Sequence, residues 1–136
     1  MQSPPARFTN EVSPEYLRSL DHHDPEHPAL AIFRLATEGS RSRNGGVIRN
    51  ASSSVQIALP NGDKVRVACA GDLVEYADGS SAAILSESGE EHGQVAVVGS
   101  RIANGDEIID TPQQATHLVK REGKPFSVDH FRLKRA

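Results

Sequence analysis

The stretch Gly39-Ser40-Arg41-Ser42-Arg43-Asn44-Gly45-Gly46 returns as Gly99-Ser100-Arg101-Ile102-Ala103-Asn104-Gly105-Asp106, identical at five of eight aligned positions. A looser copy lies between them, Val67-Ala68-Cys69-Ala70-Gly71-Asp72-Leu73-Val74, followed by Asp78-Gly79. Its lead-in, Val67-Ala68, recurs as Val95-Ala96, and the anchors Gly39, Gly71 and Gly99 are spaced by 32 and then 28 residues. Each copy joins a β-like lead-in to Gly plus a small polar residue, then ends in Asn-Gly or Asp-Gly. Glycine allows a turn where other side chains clash, and Asn-Gly or Asp-Gly reverses the chain at little cost. One such unit cannot bury its apolar side. Several can, by sharing a core around an axis or along a stack.

Between the repeats the alternation is that of strands. Val55, Ile57 and Leu59 alternate with polar or small residues, Pro60-Asn61-Gly62-Asp63 turns, and Val65, Val67 and Cys69 alternate again, which predicts a hairpin. Ala82–Leu85 and Gln94–Val98 read as a second pair across the acidic loop Ser86–Gly93, and Ile108-Ile109 as a further short strand. His117–Val119 and Phe126–Leu133 predict a last ribbon turning at Arg121-Glu122-Gly123. Ahead of this body, Ser13 caps a short helix with Pro14 at its first position. Residues Asp21–Pro28 read as a loop, and Ala29–Ala36 as either a helix, by Leu30/Phe33 spacing, or a strand, by alternation of Ile32 and Arg34. The expected fold is all-β: a small Gly-rich body of short strands and repeated turns over residues 35–110, with pseudo-threefold repeats. An N-terminal extension, 1–34, and a basic C-terminal extension, 111–136, flank it.

Composition narrows the function classes. The chain has 136 residues, four Phe, two Tyr and no Trp, too few aromatics for a stacking platform on single-stranded nucleic acid. Fifteen Lys plus Arg against eighteen Asp plus Glu leave a formal charge of −3, the wrong sign for a phosphate-backbone binder. Ala51–Asp110 carries ten acids and three bases, whereas Lys120–Ala136 carries six bases and two acids. No run approaches the length of a membrane helix, and MQSPPARFTNEVSP lacks the apolar core of a cleaved signal. The single cysteine, Cys69, permits no internal disulfide and no multi-cysteine zinc cluster, and its alternation with Val65 and Val67 places it on an apolar strand face.

Catalytic patterns are sparse. No Gly-x-Ser-x-Gly elbow and no phosphate loop occurs. His92 stands in an acidic loop, and Glu90-Glu91 carries no partner signal. His22, His23 and His27, with Asp24 and Glu26, are the one dense set of metal-ligand types, but they fall in a proline-interrupted loop that reads as solvated. No cofactor is expected.

The segments Gly39–Ile48, Val67–Val74 and Val95–Gly105 resemble the PAAR-repeat proteins, which cap the trimeric spike of type VI secretion systems and related contractile machines. The family's turn words have the form Gly-Asp-x-x-x-x-Gly-Gly and Ala-Arg-x-Gly-Asp, and the resemblance covers roughly Leu35 to Asp110. It implies a pointed β cone whose base sits on three spike subunits, with effector cargo as a second partner. It also implies residence in the bacterial cytoplasm before assembly and export without a cleaved signal. Under it, Gly39, Gly71, Gly99, Asn44, Gly45, Asn104 and Gly105 are fold-bearing turns, and Arg41, Arg43 and Arg101 are partner-rim contacts. Family members hold zinc near the tip through His and Cys. Here Asn44 precedes the Gly-Gly where a His often stands, and the body offers only Cys69 and His92 of those ligand types, so the zinc site does not carry over. The alternatives are a small hydrolase or toxin, which would bring His117 or His130 to an acid or serine of the body, and a generic β binding module.

Overall fold

The computed structural model describes residues 7–88, 94–128 and 131. It is built from short strands: β1 (Ala29–Arg34), β2 (Arg41–Ser42), β3 (Val47–Ile48), β4 (Gln56–Ala58), β5 (Lys64–Arg66), β6 (Leu73–Glu75), β7 (Ser81–Ala83), β8 (Ile108–Asp110) and β9 (His117–Arg121). One helix, α1 (Pro14–Ser19), precedes them and runs into a 3₁₀ turn, Leu20–His23. Ser13 caps α1 by accepting the Tyr16 N–H, with Pro14 in the first turn. The fold is all-β apart from that helix.

The three repeated segments meet in a triangle. Leu35 bridges Val97, Thr37 bridges Val67 and Cys69 bridges Val95, all antiparallel. Two backbone hydrogen bonds close each side. Ala68 N–H donates to Ala36 C=O (2.8 Å) and Glu38 N–H to Arg66 C=O (3.0 Å) on the first. Ala96 donates to Ala68 (2.9 Å) and Ala70 to Gln94 (2.7 Å) on the second, and Ala36 to Ala96 (2.9 Å) and Val98 to Arg34 (2.9 Å) on the third. The donors Ala36, Ala68 and Ala96 thus form a cycle around one pseudo-threefold axis.

From this triangle each segment continues into a hairpin, and the hairpins pair side to side. The strand order is β7-β6-β3-β2-β8. Residues 101–103 supply the missing side: Ile102 bridges Ile84, Arg101 bridges Glu107, and Ala103 N–H donates to Ala83 C=O at 2.8 Å. The sheet therefore closes on itself and leaves no open edge among these strands. Inside it lie Ala36, Ala68 and Ala96, then Ile48, Ile84 and Ile108, all 2 % exposed or less, with Val74 and Ile102.

On the other side of the triangle a second apolar cluster gathers Leu35, Val67 and Val95 with Val97, Ile57 and Val128. It is walled by the β4–β5 hairpin, where Ile57 faces Val65. The β1–β9 ribbon forms another wall, with Phe33 opposite Leu118. The Phe33 ring stacks on Phe126 at 5.4 Å.

One open sequence reading is decided here and two change. Ala29–Arg34 is a strand: Ile32 and Arg34 are buried while Leu30 is half exposed, because β9 satisfies the backbone that a helix would have satisfied internally. β9 pairs with β1, and among the described residues 126–128 and 131 none pairs with it, so the two extensions clasp each other; residues 129, 130 and 132–136, the rest of the expected ribbon strand, lie outside the described residues. Residues Ala82–Leu85 and Gln94–Val98 do not pair together. Ser81–Ala83 pairs with β6, while Val95 and Val97 reach Cys69 and Leu35 across the triangle.

Candidate functional site

The threefold arrangement is itself the most developed feature, and the repeated words explain it atom by atom. Gly39, Gly71 and Gly99 have φ of +90°, +96° and +100°, a region open to glycine and closed to most side chains. Their N–H groups donate to the carbonyls of Ile48, Ile84 and Ile108, each at 2.8 Å. The small polar residue after each glycine then turns back. Ser40 Oγ accepts the Thr37 N–H (2.9 Å), Asp72 Oδ2 the Cys69 N–H (2.9 Å) and Ser100 Oγ the Val97 N–H (3.0 Å). Gly-Ser and Gly-Asp thus perform one task three times, satisfying a buried donor at each corner.

Asn44-Gly45 and Asn104-Gly105 occupy the tight turns of two hairpins, where Gly45 and Gly105 donate back to Ser42 and Ile102. Asn104 also reaches the third hairpin, its Nδ2 donating to the Tyr76 hydroxyl at 3.1 Å. At this turn end the symmetry stops. Tyr76 Oη donates to Asp106 Oδ2 at 2.7 Å, and the backbone N–H groups of Asn44 and Glu107 donate to the same buried carboxylate. Burial, with the Asp106 carboxylate accepting from it, keeps the Tyr76 phenol protonated above its ordinary range. Gly46 makes room for this ring: a Cβ there would stand 2.5 Å from Val74 Cγ1 and 2.8 Å from both Ser42 Oγ and Tyr76 Cε1.

The donors gathered here are one carboxylate, hydroxyls and backbone amides. Zinc held through His and Cys does not fit them. Cys69 is buried at the triangle, away from the turns, and His92 lies outside the described residues. Among the described residues no group of three or more His, Cys, Asp or Glu is placed to hold a metal ion. His22 and His23 end the 3₁₀ turn. His27 Nδ1 lies 2.9 Å from Asp24 Oδ1, and Lys124 Nζ lies 2.6 Å from Oδ2. The hydrogen bond from Lys124, then that from His27, holds the Asp24 carboxyl down at about 2. This cluster ties the N-terminal loop to the turn after β9.

The three arginines lie on the outer faces of the hairpins. Arg41 is clamped by Asp110, Nη2 to Oδ2 at 2.8 Å and Nε to Oδ2 at 3.0 Å. Arg43 pairs with Glu107. Arg101 is exposed, and with Arg43 it borders a surface groove of about 520 Å³. His117 in β9 has its Nε2 3.4 Å from the Tyr16 hydroxyl. Burial first and Arg34 second push its pKa below the ordinary imidazole range. His130 lies outside the described residues.

Asp72 and Asp106, read from the sequence as acids that keep turns solvated, are instead buried, at 8 % and 2 % exposure, because each accepts N–H or O–H donors inside the body. Sequence reasoning passed over Tyr76, and it gave no role to Arg34 or to the alanine triad. The alanines did carry a signal: Leu35-Ala36, Val67-Ala68 and Val95-Ala96 each stand in the same place before their glycine. No protein-family model, curated protein or solved structure matches the chain. Among the described residues no helix is long and apolar enough to cross a membrane.

Proposed function

We propose that the chain is a structural tip of the PAAR-repeat type, seated on the end of a trimeric spike of a contractile secretion or phage-tail-like system. The observation that carries this reading is the hydrogen-bonded triangle of Ala36, Ala68 and Ala96. A partner with three identical subunits presents three identical surfaces, and a single chain can meet all three at once only if its own backbone repeats around the same axis. The contact end in this reading is the one opposite the turns, below Leu35, Val67 and Val95, where β1 and β5 enter the triangle.

The chain's contribution is rigidity. The closed strands and the buried isoleucine layer give a body without loose edges at the hairpin end, suited to transmitting force during membrane puncture. Effector cargo is the second partner that this reading implies. Helix α1, which buries none of its residues, is the segment offered to it. The protein would wait in the bacterial cytoplasm and leave with the machine, without a cleaved signal.

Native mass spectrometry of the full chain, mixed with a trimeric spike protein of a contractile system from the same genome, tests the proposal. One chain per trimer is expected. Three chains per trimer, or no complex, would contradict it.

A further inference from the structure

Beside the β1–β9 ribbon lies a cleft of about 660 Å³, lined by residues outside the three repeated segments. That volume is in the range of small-molecule and short-peptide sites. Its lining is apolar at Val12, Leu59 and Pro60 and polar at Tyr16, Gln114 and Arg34. Among the described residues no Asp or Glu lines it, and the one formal charge is the Arg34 guanidinium.

Arg34 is only 6 % exposed. Its Nε donates to Thr9 C=O at 2.7 Å and its Nη1 to Gln114 C=O at 2.6 Å, and its guanidinium lies 5.7 Å from the centre of the Phe8 ring. All of these partners are neutral, and Nη2 donates to no described residue. Arg7, Arg41 and Arg43 are more exposed, yet each has a carboxylate. A buried cation without a countercharge is costly, and the cost falls when an anion arrives. Among the described residues, His117 faces Arg34 from β9, and its buried Nδ1 has no hydrogen-bond partner.

We propose that this cleft binds a carboxylate carrying an apolar group, the carboxylate on the free face of Arg34 and the apolar group against Leu59 and Pro60. A free organic acid and the C-terminus of a peptide share that chemistry. Arg–carboxylate pairing supplies the directional contact, and the apolar wall discriminates against small inorganic anions.

The test is an NMR titration of the full-length, isotope-labelled chain, following the Arg34 Nε–H correlation and the amides of residues 58–59 and 113–115. The probes are hexanoate against hexanol, and acetyl-Ala-Ala-Leu with a free C-terminus against its amide. Saturable shifts from the two carboxylates, at least tenfold tighter than from their neutral twins, are expected. The tighter of the two carboxylates then tells which source the site prefers. Ala115→Phe narrows the cleft from an exposed position without touching Arg34, and should weaken binding at least tenfold while leaving the thermal midpoint unchanged. It keeps the test decisive should Arg34→Met fail to fold. Equal binding of the neutral twins, tighter binding of inorganic phosphate, no saturable shift at Arg34, or full binding by Ala115→Phe would each overturn the proposal.

Discussion

The triangle and the turn end belong to the same three hairpins, yet they are built on different principles. At the triangle the three segments are equivalent: alanine faces alanine, and each corner is closed by a glycine and by a small polar side chain, serine at two corners and aspartate at the third, that accepts the same backbone N–H. At the turn end each hairpin gives something different, Gly46 as space, Tyr76 as filler and Asp106 as the buried acceptor. The difference shows where symmetry is cheap. Backbone hydrogen bonds repeat at no cost when side chains are small, whereas three identical large side chains converging on one axis would collide. A single chain escapes that collision by making its three copies unequal there.

Enlarging the alanine triad should break this comparison most severely. Ala68→Leu puts a branched side chain into a layer that is fully buried and closed by backbone on every side. A loss of about 3 kcal/mol is expected from overpacking, read by denaturant unfolding. Gly46→Ala comes next, at about 2 kcal/mol, since its new methyl must displace Val74 or the Tyr76 ring. Gly105→Ala has open space at its Cβ, and its loss should come from the positive φ alone.

Tyr76→Phe keeps the ring and removes one donor from the buried Asp106 carboxylate, for a loss of about 1.5 kcal/mol. Its effect should stay at the turn end, leaving amide exchange at the triangle unchanged. Ser40→Ala and Ser100→Ala sharpen the comparison from the other side. Each strips one buried N–H of its acceptor, and each should cost about 1 kcal/mol, equal within a few tenths because the two corners are copies.

Much of this was legible in the amino-acid order, and what escaped did so for physical reasons. The β4–β5 hairpin could be read because its pairing is local, with alternating apolar residues on either side of Asn61-Gly62. The glycine anchors could be read because only glycine suits their backbone, so the words recur even where side chains diverge. Pairing between distant segments could not. Ala82–Leu85 and Gln94–Val98 each alternate as strands do, but alternation says which face is buried and nothing about which strand lies alongside. Arg34 and Asp106 were hidden for a related reason: charged residues are usually exposed, and only the fold shows that Asp106 is met by a phenol and two amides while Arg34 is met by carbonyls and the Phe8 ring.

The account rests on closure of three segments of one chain around a common axis, and that closure can be observed bond by bond. NMR couplings transmitted through hydrogen bonds, recorded on the full-length chain, would register each N–H···O=C contact of the triangle separately. Closure predicts three correlations forming a cycle, from Ala36 nitrogen to Ala96 carbonyl, from Ala96 to Ala68 and from Ala68 back to Ala36. A cycle broken at any side, with that amide exchanging freely with water, would mean an open sheet and would remove the basis for a threefold partner.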